Sequence, residues 1–189
     1  MNIKKKADRI VDSNISQKEK VKELCKLVME IPYKRVGRVN PEDMVKKGMG
    51  SCTPKHIFFA SYLRKLGVPV KFVIAHFYYK KLPISYPESA KEVVEKMPVA
   101  YHLALKAKLS GRWTLIDVTW DSGLKGFPRT ENWDGESDMK LAVVPEKIIE
   151  IEGDPREYEK DRINEFNEEE LKAREKFYKM FNKVFLSGR

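Results

Sequence analysis

Two runs of alternating residues, about 99–109 and 112–118, meet at Ser110-Gly111, and this pair constrains the fold more than any other segment. A two-residue loop with glycine in second place is the signature of a tight β-hairpin. Leu109 then pairs with Arg112, Ala104 faces Asp117, and His102 faces Thr119. Alternation puts Tyr101, Leu103, Leu105, Ala107 and Leu109 on one face, with His102, Ala104, Lys106 and Lys108 on the other. His102 and Asp117 become diagonal neighbours on the less apolar face, roughly 7–8 Å apart at the backbone and within side-chain reach. That face suits a cleft better than a core. An odd loop length or an unshared bulge would separate the two residues.

The remaining elements alternate with turn signals in an α+β order. SQKEKVKELCKLVMEI, residues 16–31, sets Val21, Leu24, Cys25, Val28 and Ile31 at helical spacing, with Ser16 and Glu19 as a capping box. Cys25 in that stripe reads as a small buried hydrophobe. Asn40-Pro41 opens a short helix that Gly48 and Gly50 close. A further helix runs from about Thr53 to Leu66 with Pro54 in its first turn, and VPVKFVIAHFYY leaves it as a strand. A short helix around Ser89–Lys96 lies between prolines, and VVPEKIIEIEG is open between strand and helix. From Pro155 onward the pattern is helical, ending in the stripe Phe177, Phe181 and Phe185. The loop TWDSGLKGFPRTENWDGESD is long enough to suggest a function of its own.

Cys52 supplies the chemistry. It follows the glycine-rich turn GMGS at the expected start of an apolar helix. There the helix dipole and unpaired N–H groups favour thiolate over thiol. A histidine that takes the thiol proton and a carboxylate that orients it would complete a nucleophilic triad, and His102 and Asp117 are the candidates. Taken singly, each residue has a plainer reading: Cys52 as a buried structural thiol, His102 as a hydrogen-bonded strand residue, Asp117 as a turn carboxylate with Asp121 as a rival. His56 lies one helical turn from Cys52, but two cysteines and three histidines are too few for an ordinary structural zinc site, so no metal is expected.

Bulk properties bound the setting. The 189 residues suit one domain, and 42% hydrophobic with 34% charged residues indicates a soluble globular chain. No apolar run would span a bilayer and no apolar stretch follows the basic N-terminus, so neither membrane nor signal peptide is expected. Two cysteines make no disulfide framework, which suggests a reducing, cytoplasmic setting. The net charge of +9 is spread among acidic residues, a pattern of solvated helix faces more than of a nucleic-acid stripe. A single glutamine beside abundant Lys and Glu hints at a heat-adapted source.

The glycine-preceded Cys52, the passage LRKLGVPVKFVIA, the strand bearing His102 and the strand ending GRWTLIDVTWD together resemble the transglutaminase-like superfamily of papain-fold cysteine enzymes, over residues 48–121. The resemblance implies a papain-like α+β domain over 1–189, with a core of about 41–151 and helices at 1–31 and 155–187 packing on it. It implies Cys52 as nucleophile, His102 as general base and acid, and Asp117 as orienting carboxylate, with no cofactor. The expected activity is acyl transfer from a peptide or protein amide through a thioester, hydrolysis being preferred to cross-linking. The chain departs from the family in having Leu103 and Ala104 after the histidine, Val118 after the aspartate, and neither a tryptophan before Trp113 nor a glutamine near the site. The Cys52 N–H and the Tyr33 side chain are then the candidate oxyanion donors. Trp120 and Trp133, flanking the long loop, are candidates to wall a substrate groove, or else packing aromatics. The rival functions are a catalytically inactive binding module that keeps the fold, and a basic nucleic-acid-binding protein.

Overall fold

A computed structural model describes residues 3–35 and 40–186; residues 1–2 and 187 of the expected terminal helices lie outside them. Seven α-helices and four strands occur among the described residues, in the order α1 (Ile3–Asp12), α2 (Gln17–Met29), α3 (Pro41–Lys47), α4 (Cys52–Lys65), β1 (Val70–Phe77), α5 (Glu88–Glu95), β2 (Ala100–Leu109), β3 (Arg112–Ile116), β4 (Pro145–Ile151), α6 (Pro155–Asn164) and α7 (Glu168–Phe185). The strands form one antiparallel sheet in the order β3-β2-β1-β4. The fold is thus α+β.

Local chemistry accounts for the helix ends. Ser16 accepts from the Glu19 N–H at 3.2 Å, Asn40 from Asp43 at 2.7 Å and Asn167 from Glu170 at 2.9 Å, so three helices start on side-chain caps. Gly48 ends α3 at φ +67°, a conformation that costs glycine little.

The hairpin has the register expected from Ser110-Gly111: Leu109 pairs with Arg112 and Leu105 with Ile116. Ser110 and Gly111 have φ of 47° and 83°, both positive as a type I′ turn requires. β3 stops at Ile116, two residues short of the expected end. The next three backbone N–H groups go to side chains instead of β2: Asp117 to Met139 Sδ (3.4 Å), Val118 to His56 Nε2 (3.1 Å) and Thr119 to its neighbour Asp117 Oδ1 (3.1 Å). The open segment 145–151 is an edge strand, which tolerates Pro145 at its start.

Two apolar clusters embed the sheet. One gathers α1, α2 and α4 against Tyr101, Leu103, Leu105, Ala107 and Leu109. The other gathers Phe177 and Phe181 of α7 and Val93 of α5 against Phe77, Ala100 and Trp120. Phe77 and Ala100 are paired, and Ala75 of the same cluster faces His102 across β1 and β2. The face expected to open on a cleft is therefore covered at the His102 end, and His102 is 2% exposed. Residues of α5 and α7 together with Trp120 provide that cover, which alternation within β2 cannot foretell.

Candidate active site

Cys52 is the first residue of α4, with Ser51 as its N-cap in extended backbone. The first N–H groups of a helix have no partner within it, so the thiol sits in the positive field of the helix start. Gly50 is required beside it: a Cβ there would stand 2.6 Å from Met44 Cγ and 3.2 Å from Pro54 Cγ. Gly50 is also stitched to the segment before α3, donating to Pro32 O at 3.0 Å and accepting from the Lys34 N–H at 3.2 Å. That bridge sets Tyr33 opposite the turn that carries the thiol.

His102 and Asp117 come together as the hairpin register leads one to expect. His102 Nε2 lies 2.7 Å from Asp117 Oδ2, and both residues are buried. Asp117 Oδ2 also accepts the Ala142 N–H at 2.8 Å and Oδ1 that of Thr119 at 3.1 Å, which fixes the carboxylate. Burial opposes charge on all three groups, and their mutual contacts override it. Asp117 is held well below the usual carboxylate range by His102, with His56 and Thr119 adding to the effect. His102 is raised to about 10 by the Asp117 charge and hydrogen bond and by Cys52. The Cys52 thiol is lowered by a hydrogen bond and the charge of His102 and by the Leu103 N–H, against its own burial and the Glu159 carboxylate. A lowered thiol and a raised imidazole both shift in the direction that favours a thiolate–imidazolium pair. Cys25, buried in α2 with no such partner, is pushed far up and has no thiolate character.

Two α4 neighbours of Cys52 hold this geometry. His56 Nδ1 lies 2.9 Å from the Cys52 carbonyl, while the Val118 N–H donates to Nε2 at 3.1 Å. A carbonyl only accepts and an N–H only donates, so the ring is the neutral Nδ1–H tautomer. Burial lowers His56 to about 4, in agreement. The ring ties the first residue of α4 to the residue after Asp117. Lys55, fully buried, donates to Met29 O (2.9 Å), Ile31 O (2.9 Å) and Thr119 O (2.8 Å). Burial brings it down to about 7, yet three acceptors match the three N–H bonds of an ammonium and leave no place for a lone pair. Lys55 thereby pins the end of α2 and the Thr119 backbone to the underside of the site.

The other predicted residues are placed as follows. Tyr33 is buried, 4.4 Å from Trp120 between ring centroids. Its phenol is pushed up by burial and by the nearby Cys52. Asp121, the rival carboxylate, accepts from the Tyr33 N–H at 2.7 Å and the Gly123 N–H at 3.0 Å. Trp120 packs in the second cluster and donates to Ala142 O at 2.9 Å. Trp133 belongs to the first cluster, donates to Ser137 O at 2.7 Å, and lines a cleft of about 390 Å³ against α2 that does not include the neighbours of Cys52. A larger cleft, about 840 Å³, borders the residues on either side of Cys52 without including Cys52 or His102 in its lining. Ser51, Thr53 and Pro54 form one wall, and Arg35 with residues of α6 and α7 forms the other. The sequence offers no sign of Lys55 or of this second wall, and it offers His56 only as a metal ligand, not as the bridge to Val118. A lysine one turn into a helix reads as a solvated charge, and the wall depends on where the last two helices dock.

No helix among the described residues is long and apolar enough to cross a membrane. A search of curated proteins finds no match. Among solved structures, the chain is similar to a protein of Cytophaga hutchinsonii named as a candidate cysteine protease, at 19% identity and a TM-score of 0.45, over 66% of this chain and 39% of that one. It is also similar to a protein named a TGase, at 14% identity and a TM-score of 0.43, over 64% of this chain and 31% of that one. The chain thus spans well under half the length of either. The family model of the transglutaminase-like superfamily matches residues 4–118, from α1 to the residue after Asp117. With that match over more than half its length, the chain belongs to the transglutaminase-like superfamily.

Proposed function

We propose that the protein is a cysteine-dependent acyl-transfer enzyme that cleaves amide bonds in peptides or proteins, with Cys52, His102 and Asp117 as its catalytic residues. The observation that carries this is the Asp117–His102 contact of 2.7 Å with the ring interacting in turn with a thiol at a helix start. Since Nε2 is committed to Asp117, Nδ1 is the nitrogen that serves the sulfur. The Cys52 thiolate attacks the amide carbonyl, forming a C–S bond and an oxyanion. The Cys52 N–H at the helix start stabilises that charge, with the Tyr33 hydroxyl as second donor. Imidazolium His102 gives its proton to the amine as the C–N bond breaks, leaving a thioester and a neutral imidazole. His102 then takes a proton from water, whose oxygen displaces the sulfur, and acid product and thiolate are restored.

Hydrolysis is favoured over cross-linking by the charge of the cleft bordering Ser51 and Thr53. Five cationic side chains (Arg35, Arg156, Lys160, Arg174 and Lys179) and four acidic ones (Asp154, Glu157, Glu159 and Glu175) line it, and the excess of one positive charge works against the lysine ammonium that a cross-linking reaction must admit. A second reading, a non-catalytic binding module, draws on the burial of Cys52, which is 5% exposed. One experiment separates these readings. Peptide amides are incubated with the protein in ¹⁸O-water, with and without a primary amine, and the products weighed by mass spectrometry. The proposal expects ¹⁸O-labelled acid as the main product and its loss in Cys52→Ala. Amine-coupled product in excess would replace hydrolysis by cross-linking. Turnover that survives in Cys52→Ala, or none from the wild type, would overturn the catalytic reading.

A further inference from the structure

The cleft beside Cys52 carries one positive charge that its own residues leave uncompensated. Most of its charges are matched one to one: Arg156 with Asp154 at 2.5 Å, Lys160 with Glu157 at 3.4 Å and Lys179 with Glu175 at 2.6 Å. The exception is Glu159, whose single Oε1 is shared by Arg35 at 2.9 Å and Arg174 at 3.2 Å. Two guanidiniums divide one carboxylate. They also hold Tyr178, with the Arg35 guanidinium 3.9 Å and the Arg174 guanidinium 5.1 Å from its ring centroid. Arg174 is only 7% exposed, and its Nη1 has no hydrogen-bond partner; neither has the Tyr178 hydroxyl. A buried guanidinium edge without an acceptor is costly unless something fills the role. Arg174 and Tyr178 line the cleft whose opposite wall is Ser51 and Thr53, the residues on either side of Cys52, and their two unpartnered atoms lie just beneath its surface.

We propose that this cleft binds a carboxylate of the acyl-donor substrate, so that the enzyme selects peptides carrying an acidic side chain or a free C-terminal carboxylate close to the scissile amide. Guanidinium and phenol donors suit a planar carboxylate, which accepts two N–H bonds from an arginine edge and a third bond from a hydroxyl. The substrate carboxylate brings Arg174 and Arg35 to charge balance with Glu159. The proposal rests on the acyl-transfer reading for calling the ligand a substrate. Binding itself requires no chemistry at Cys52.

The test therefore uses Cys52→Ala protein and calorimetric titration with three peptides: acetyl-Ala-Glu-Ala amide, acetyl-Ala-Gln-Ala amide, and acetyl-Ala-Gln-Ala with a free C-terminus. One charge-assisted pairing predicts about tenfold tighter binding of a carboxylate peptide than of the neutral amide. Whether the first or the third peptide shows the gain identifies the source of the carboxylate. Arg174→Gln should bring the ratio to within about twofold, as expected when that pairing is lost. Glu159→Gln, which frees both guanidiniums, should tighten the carboxylate peptide and leave the neutral one unchanged, an effect that damaged folding does not produce. Equal affinities for all three peptides, no binding of either carboxylate peptide, or a ratio indifferent to both substitutions would overturn the proposal. Failure of wild-type Cys52 to turn over amides would instead refute the acyl-transfer reading and leave the binding result standing.

Discussion

His56 makes the link between the thiol helix and the Asp117 segment measurable by acid. Its ring is neutral in the fold, with Nδ1–H on the Cys52 carbonyl and Nε2 accepting from Val118. The folded ring titrates at about 4, the unfolded one at the ordinary 6.5. A group depressed on folding makes stability rise with pH between the two values, because there the unfolded chain holds the extra proton. Acidification from about pH 6 to about pH 4.5 should therefore cost about 1.7 kcal/mol through this residue alone. His102, raised to about 10, is protonated in the fold throughout that window and contributes little to the slope. His76, lowered by burial and by Lys147 and Arg162, acts in the same sense as His56 and must be held constant. The assay is urea unfolding at several pH values for wild type and His56→Gln, which keeps an acceptor for Val118 but cannot titrate. The difference in stability between the two proteins should shrink by about 1.7 kcal/mol across the window. Parallel pH dependences would show that His56 carries a proton in the fold, and the bridge as described would be wrong.

Other expectations follow from the same contacts. Lys55→Met strands three buried carbonyls and should destabilise the fold by about 3 kcal/mol or more, read as a lower urea midpoint. An unchanged midpoint would mean those carbonyls find other donors. Gly50→Ala drives a Cβ into Met44 and Pro54 and should cost about 1–3 kcal/mol; a neutral result would refute the tight turn. In Asp117→Asn the support for imidazolium is lost, so the His102 ring, followed by NMR, should titrate well below its wild-type value of about 10. A ring that still titrates there would place its charge partner elsewhere.

What could be read in the sequence was local, or local plus one turn. The Ser110-Gly111 loop fixes the hairpin register as far as Leu105–Ile116, one residue short of Asp117, and contacts from Ala142 and Thr119 hold the carboxylate against His102 beyond the ladder. Cys52 at a helix start follows from Gly48, Gly50 and the apolar run after it. What escaped depends on contacts that no period or cap encodes. His56 meets Val118 and Lys55 meets Thr119 across more than sixty residues. In sequence Lys55 looks like an ordinary helix residue, and His56 draws attention only as a metal ligand. Trp133 and Trp120 flank one loop, yet the indoles settle in different clusters; the chain just after Trp133 runs beside β3, where the Leu115 N–H donates to Asp138 at 2.8 Å. The acidic and basic residues of α6 and α7 read as solvated faces. Only docking of those helices beside Ser51 and Thr53 gathers Arg35, Glu159 and Arg174 into one cluster.

The central claim is that His102 turns Cys52 into a thiolate, and the pH dependence of Cys52 alkylation by iodoacetamide tests it most directly. Peptide mapping separates Cys52 from the buried Cys25. The wild-type rate should reach half its plateau below the ordinary thiol value of about 8.5. In His102→Asn, where hydrogen bond and charge are both lost, the midpoint should rise by a unit or more, on the order of tenfold in thiolate at neutral pH. A wild-type midpoint in the ordinary thiol range, or one that His102→Asn leaves in place, would contradict the account.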